Sequence, residues 1–223
     1  MRTIALEGSI SGTDASDYFT LKRALVEAYG INSSNELQIR AWDSTERKLD
    51  AYVTTSPMIV ESAGEVTIGR YRVELRCPDP FFKALTALTG NTGTAVTGGS
   101  PVAMTVPSPL GSGGGSVEIN NVGDVSAYAE FTFTGSVTNP TVTNLANSDA
   151  FTVNETLSGG DSLRVYRDNT GFFVLLNGVS IMSSFSGTFF LIETGVNTLK
   201  FTATTSDATA NMAVEFYPRY KSL

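Results

Sequence analysis

The chain has 223 residues, 41 % hydrophobic and 17 % charged, enough for one large or two small domains with a buried core. It contains no histidine and one cysteine, which excludes Ser-His-Asp and Cys-His catalysis, His-based metal sites, an intrachain disulfide framework and thiolate zinc clusters. A net charge of −7 is the wrong sign for neutralising phosphates or docking on an anionic membrane, so neither nucleic acid nor membrane is an expected partner. The opening Met1-Arg2-Thr3-Ile4-Ala5-Leu6 is stopped by Glu7, so no signal peptide is expected. No apolar run approaches the length of a membrane helix.

The first predicted element is a strand over Arg2 to Leu6, with Ile4 and Leu6 on one face and Thr3, Ala5 and Glu7 on the other, punctuated by Gly8 and Gly12. A helix follows from about Ala15 to Tyr29. Asp14 is suited to cap it, Asp17 to its positive end, and Gly30 to a left-handed residue beyond its last turn. Tyr18, Leu21, Leu25 and Ala28 or Tyr29 predict the buried face; Lys22, Arg23 and Glu27 predict the wet one. Glu36 to Trp42, Arg47 to Thr54 and Glu65 to Cys77 alternate apolar and polar residues, which gives a small sheet or barrel packed on one helix over residues 1–82.

Charge falls away after that point: 21 of the 37 charged side chains lie in residues 1–82, and none lies between Lys83 and Glu118. The stretch 83–116, with Gly90-Asn91-Thr92-Gly93, Gly98-Gly99-Ser100-Pro101 and Gly111-Ser112-Gly113-Gly114-Gly115-Ser116, reads as a connector holding one or two short extended segments. Residues 117–223 read as all β. Strands are predicted at Phe131–Gly135, Leu163–Tyr166, Phe172–Leu176, Val179–Ile181, Phe189–Ile192, Leu199–Phe201 and Met212–Phe216. Asp168-Asn169-Thr170-Gly171 and Asn177-Gly178 supply turns, the second being the strongest two-residue hairpin signal. This pattern predicts a jelly-roll, galectin-like β-sandwich.

No residue qualifies as catalytic, cofactor-binding or metal-ligating. Gly111 to Ser116 precedes strand-like Val117-Glu118-Ile119 and lacks the lysine of a phosphate loop. Asp14 and Asp17 fit helix capping, and Glu61 and Glu65 fit surface charge. Asn32-Ser33-Ser34 and Asn154-Glu155-Thr156 match a glycosylation pattern that carries no weight without a secretion signal. The aromatic residues of the second part sit at alternating positions suited to a core. Trp42 is expected in a core or an interface, and Cys77, with no histidine to activate it, as a buried thiol.

Three stretches carry a resemblance. They are Arg2 to Asp14 with its G-x-I-x-G-x-D entry into the helix, Leu21-Lys22-Arg23-Ala24-Leu25, and Arg72-Val73-Glu74-Leu75-Arg76-Cys77-Pro78-Asp79-Pro80-Phe81-Phe82. Together they resemble the distal tail protein (Dit) family of long-tailed siphophages. The likeness continues in Asn120-Asn121-Val122-Gly123-Asp124, in Phe131-Thr132-Phe133-Thr134-Gly135 and in Phe216-Tyr217-Pro218-Arg219-Tyr220. It implies a structural protein of the virion tail tip, made in the host cytoplasm and not an enzyme. The first domain would form a homo-hexameric ring that joins the tail tube protein to the tip or fibre protein. The second would point outward and hold receptor-binding protein. Members carry further strands ahead of the segment equivalent to Arg2-Thr3-Ile4, so a shortened or compact first domain is expected.

Two other classes compete. A carbohydrate-binding sandwich or adhesin would use exposed aromatic rings as a sugar platform, and a two-carboxylate glycosidase needs no histidine. The first requires rings outside the core. The second requires an acidic pair that shares a cleft. Ring contacts are expected on the strand over 66–77 and on the helix at 15–29, the most regular elements of the first domain.

Overall fold

The alternation of the first eleven residues is that of a strand with one covered face, and in the computed structural model it runs without a break across Gly8. Residues 1–31, 34–61, 67–93, 115–168 and 171–223 are described. The first unit contains β1 (Arg2–Ser11), α1 (Ala15–Ala28), β2 (Ser34–Arg40), β3 (Glu46–Val53), β4 (Met58–Glu61), β5 (Ile68–Cys77) and β6 (Phe82–Lys83). Met1–Lys83 and Lys221–Leu223 together make up this compact unit, and Ala84–Tyr220 make up a second. The last three residues therefore return to the first unit, where the Arg2 guanidinium donates to the Lys221 carbonyl at 3.2 Å.

All pairings in the first sheet are antiparallel. β1 lies along β5 over ten residue pairs, from Arg2 opposite Cys77 to Ser11 opposite Ile68. β5 also pairs with β3 and β4, while β3 takes β2 and β6. The register puts Ile4 opposite Leu75, Leu6 opposite Val73 and Ile10 opposite Gly69 on the covered face. Thr3, Glu7, Arg70, Arg72 and Arg76 are left on the exposed face. Leu49, Ala51, Val53, Val73, Leu75 and Cys77 complete the buried set, the alternation expected of a sheet covered on one side.

The helix begins where its capping residues place it. Asp14 accepts the Asp17 amide at 2.9 Å, and Asp17 reaches back to the Thr13 amide at 2.8 Å, a reciprocal cap that satisfies two otherwise unpaired donors. Its end differs from expectation. The Tyr29 amide bonds the Leu25 carbonyl at 3.1 Å and Tyr29 leaves the helix at φ −108°, so Gly30 takes no left-handed conformation. The buried face also differs, because only Tyr18 is fully enclosed. Lys22, Leu25 and Tyr29 are half-buried in line with it, whereas Leu21 turns outward with 40 % of its surface exposed. The contact line is 18–22–25–29: of the predicted face 18, 21, 25 and 28 or 29, the 29 alternative holds and Lys22 replaces Leu21, its stem turned to the sheet as it reaches Glu61 at 2.6 Å.

Two glycines make this docking possible. A Cβ on Gly12 would sit 2.5 Å from the Tyr18 amide nitrogen, and one on Gly69 would overlap the Tyr18 hydroxyl. Gly8 does not interrupt β1, because the Tyr71 ring from the neighbouring strand lies over it and supplies the missing side chain.

In the second unit β7 (Leu88–Gly93), β8 (Gly115–Asn121), β9 (Ala129–Thr134) and β10 (Val137–Thr138) come first. They are followed by β11 (Thr141–Asn144), β12 (Ala150–Val153), β13 (Thr156–Leu157), β14 (Ser162–Arg167), β15 (Phe172–Leu176) and β16 (Val179–Ser180). A short 3-10 turn, Met182–Ser184, then leads to β17 (Phe185–Gly187), β18 (Gly195–Thr202), β19 (Thr205–Ser206), β20 (Asn211–Phe216) and β21 (Arg219–Tyr220). Two antiparallel sheets, β17-β12-β11-β18-β8 and β16-β15-β14-β9-β20-β7, enclose one core, with β13-β10-β19 as a small third sheet. Phe131 from one sheet meets Phe151 from the other edge to face at 5.2 Å, and Phe133 meets Phe201 at 5.5 Å.

The mainly β class with a single helix near the start is as expected. β7, paired along its length with β20, falls inside the stretch read as a connector, and residues 94–114 of that stretch lie outside the described set. Asn177 and Gly178 both adopt positive φ, 50° and 83°, and close the predicted hairpin between β15 and β16. Phe189–Ile192 does not form the predicted strand. Only Ile192 makes a bridge, to Ala127, and Phe189 and Phe190 instead insert between Phe131, Phe151 and Phe172. Side-chain packing overrides β-propensity there.

Tyr18→Ala is expected to lower the stability of the first unit by about 3–5 kcal/mol, the range for emptying an aromatic-sized core site. Tyr18→Phe should cost much less. Urea unfolding monitored by amide exchange of β1 and β5 reads both values.

Candidate functional site: an interaction surface on the first unit

Among the described residues no group of three or more carboxylate, Cys or His side chains converges as a metal site would, and no helix is long and apolar enough to cross a membrane. The acidic residues singled out in the sequence are engaged structurally. Asp14 and Asp17 form the helix cap, and Glu61 holds Lys22 while accepting a long hydrogen bond of 3.5 Å from the Tyr18 hydroxyl. The Lys22 ammonium, chiefly by its hydrogen bond, holds the Glu61 carboxyl below the usual carboxylate range, and Glu61 in turn raises Lys22. Glu65, Asn32 and Ser33 lie outside the described residues. So do Asn169 and Thr170, and all of Gly111 to Ser116 except Gly115 and Ser116, which open β8.

Cys77 is fully buried, and burial raises its thiol pKa. Such a thiol is a poor nucleophile. Asn154 gives its amide to the Ser184 carbonyl and the Ser186 hydroxyl, and Glu155 accepts from the Ser184 hydroxyl at 2.7 Å. The phenylalanines lie mainly in the sandwich core. Outside it, Tyr166 stacks on Phe173 at 5.2 Å and takes the Arg164 guanidinium at 5.0 Å, which in turn pairs with Glu130 at 2.6 Å.

What the first unit does offer is surface. Among the described residues β1 pairs only with β5, so one long edge presents unpaired backbone groups. Phe19 and Val26 on one flank of α1 and Leu21 on the other are exposed, as are Met58 and Val60 on β4. Trp42 is the clearest case. It sits at the turn between β2 and β3, closed by the Thr45 carbonyl accepting from the Ala41 amide at 2.8 Å, and it is fully exposed. The core placement that the sequence allowed for Trp42 therefore does not hold. Asp43 fixes the turn by accepting the Thr45 amide at 2.8 Å, and that bond keeps its carboxyl below the ordinary range. On the exposed face of the sheet Arg72 bridges Glu7 at 3.3 Å and Glu74 at 3.1 Å. Arg70 has no ion-pair partner among the described residues. Met58 and Val60 escaped the sequence reading because three consecutive apolar residues, 58 to 60, show no alternation.

The motifs of the second unit have structural roles. Phe131 and Phe133 are core rings. Asn121 is buried and donates to the carbonyls of Val125 at 3.1 Å and Ile192 at 3.0 Å while accepting the Gly123 amide at 3.0 Å. At Gly123 a Cβ would lie 2.5 Å from the Arg219 carbonyl oxygen, so glycine lets the returning chain approach. The Asp124 amide donates to that same carbonyl at 2.8 Å, and the Arg219 side chain donates to the Ser126 carbonyl at 2.9 Å. The Asn-x-Gly-Asp element thus clamps the last residues of the unit to the chain leaving β8.

This clamped stretch is the one a known family recognises. Residues 122–220 match the family model for the siphovirus-type tail component, C-terminal domain. Over that stretch the chain is similar to the C-terminal domain of a siphovirus-type tail component. Tail components of this family are structural proteins and not enzymes. No curated protein matches the chain.

Asn121→Ala removes the partner of the Gly123 amide and the Val125 carbonyl, at about 1–3 kcal/mol for each that stays buried, while the Ile192 carbonyl keeps the Ala127 amide. The expected result is a clear drop in the domain's melting temperature by calorimetry. For the Lys22–Glu61 pair, a carboxyl depressed in the folded state stabilises above its unfolded pKa of about 4.3 and loses that contribution as the pH falls. Protection of α1 amides should therefore weaken on acidification below that range, and less so in Glu61→Gln.

Proposed function

We propose that this chain is the distal tail component of a siphovirus, assembling as a homo-hexameric ring that joins the tail tube to the tip or fibre protein. The family match over residues 122–220 carries the reading. Residues 1–82 form the ring, and the sandwich, which takes β7 from the stretch 83–116 as an edge strand, supports receptor-binding components.

The physical case rests on surface. A ring protein works through contacts between unlike patches, and it closes when the rotation from one copy to the next divides a circle. The first unit has such patches: an edge at β1 that is unpaired among the described residues, apolar side chains on both flanks of α1, and a fully exposed tryptophan. Exposed apolar groups of this kind on a small domain mark interaction sites.

Negative-stain micrographs of the purified chain, alone and with tail-tube protein, are expected to contain six-fold rings, and native mass spectrometry a hexamer. Monomer alone under both conditions would sink the assignment.

A further inference from the structure

Two features of the first unit that face solvent are complementary to one another. The first is the hairpin tip, where Trp42 stands fully exposed beside the ionised carboxylate of Asp43. The second is a shallow cavity of about 180 Å³ on the exposed face of β1, β4 and β5, lined by Glu7, Met58, Val60, Arg70, Tyr71 and Arg72. The cavity has room for an indole ring. Its walls supply what an indole binds well: the thioether of Met58, the methyls of Val60, and the guanidinium groups of Arg70 and Arg72 for cation–π contact. Arg70, without a carboxylate partner among the described residues, answers the charge of Asp43.

We propose that Trp42 of one copy of this chain inserts into the Met58–Val60–Arg70–Arg72 socket of the next, with Asp43 pairing with Arg70. This rests on the ring reading and names its contact. The plug is on the β2–β3 turn and the socket on the β1–β5–β4 face, so the joint is between unlike surfaces. Each copy gives a plug to one neighbour and a socket to the other. A fully exposed tryptophan buried against arginine and methionine is the kind of residue that dominates an interface.

Trp42 is the only tryptophan, so the fluorescence of the unlabelled full chain reports on it directly. On dilution from oligomer to monomer, the emission should move to the red and become open to acrylamide quenching. Trp42→Ala and Val60→Asp, both at exposed positions, should each weaken assembly by about 30-fold or more while leaving the melting temperature unchanged. Mixing the two variants gives the sharper test. Trp42→Ala keeps its socket and Val60→Asp keeps its plug, so the mixture should yield one-to-one dimers and nothing larger. Arg70→Glu should weaken assembly, and Asp43→Lys in the same chain should restore part of it.

An oligomer whose Trp42 remains red-emitting and freely quenched would overturn the plug and leave the ring standing, with Trp42 then facing a different tail protein. Wild-type assembly by Val60→Asp would do the same. A wild-type chain that never leaves the monomer would overturn both.

Discussion

In the first unit the arrangement of helix on sheet hangs on a single phenol ring. Tyr18 is the one residue of α1 that is completely enclosed, and it reaches that position only because Gly12 and Gly69 leave room for it. Everything else about the helix follows. Its line of contact passes through Lys22, which turns its stem to the sheet and its ammonium to Glu61. Leu21, which would have lain inward on a slightly rotated helix, is pushed out with Phe19 and Val26. A narrow anchor of this kind covers the sheet while burying little of the helix. The apolar flanks left over are what the unit has available for contacts with other chains.

The second unit solves the opposite problem. Its core is thick, with phenylalanines from both sheets meeting edge to face, and its loops are tied by buried asparagines: Asn121, Asn144 and Asn197. Asn197 alone accepts the Glu193 amide and donates to the Glu193 and Gly195 carbonyls. Such amides are costly to bury unless each polar atom is used. Here they substitute for the regular ladder at strand ends, where the chain turns too sharply for backbone pairing.

Much of this was legible beforehand. Alternation exposed β3, β5 and the first half of β1, aromatic and β-branched composition marked β9, β14, β15 and β20, and Asp14 and Asn177-Gly178 marked a helix start and a hairpin. What failed did so for tertiary reasons. Leu21 and Lys22 exchanged roles because an aliphatic stem can cover a sheet as well as a leucine does. Phe189 and Phe190 left the strand pattern because the core needed rings more than another ladder. Short strands such as β10, β13 and β19 are held by neighbours distant in sequence, and no local pattern announces them. The surface features were hardest of all. Trp42 fits a core as well as an interface on residue type, and only the closed turn around it turns that residue toward solvent.

The clamp at Asn121 and Gly123 has an architectural consequence. The stretch 122–220 enters and leaves at one hydrogen-bonded point, where Asp124 meets Arg219, and the chain after it returns to the first unit. The sandwich itself starts earlier, since β7 and β8 precede this stretch and pair with β20 and β18 inside it. Because Asp124 and Arg219 are bonded directly, the separation of those two points is fixed whatever the length of chain between them, so a turn within the stretch can lengthen without moving either end.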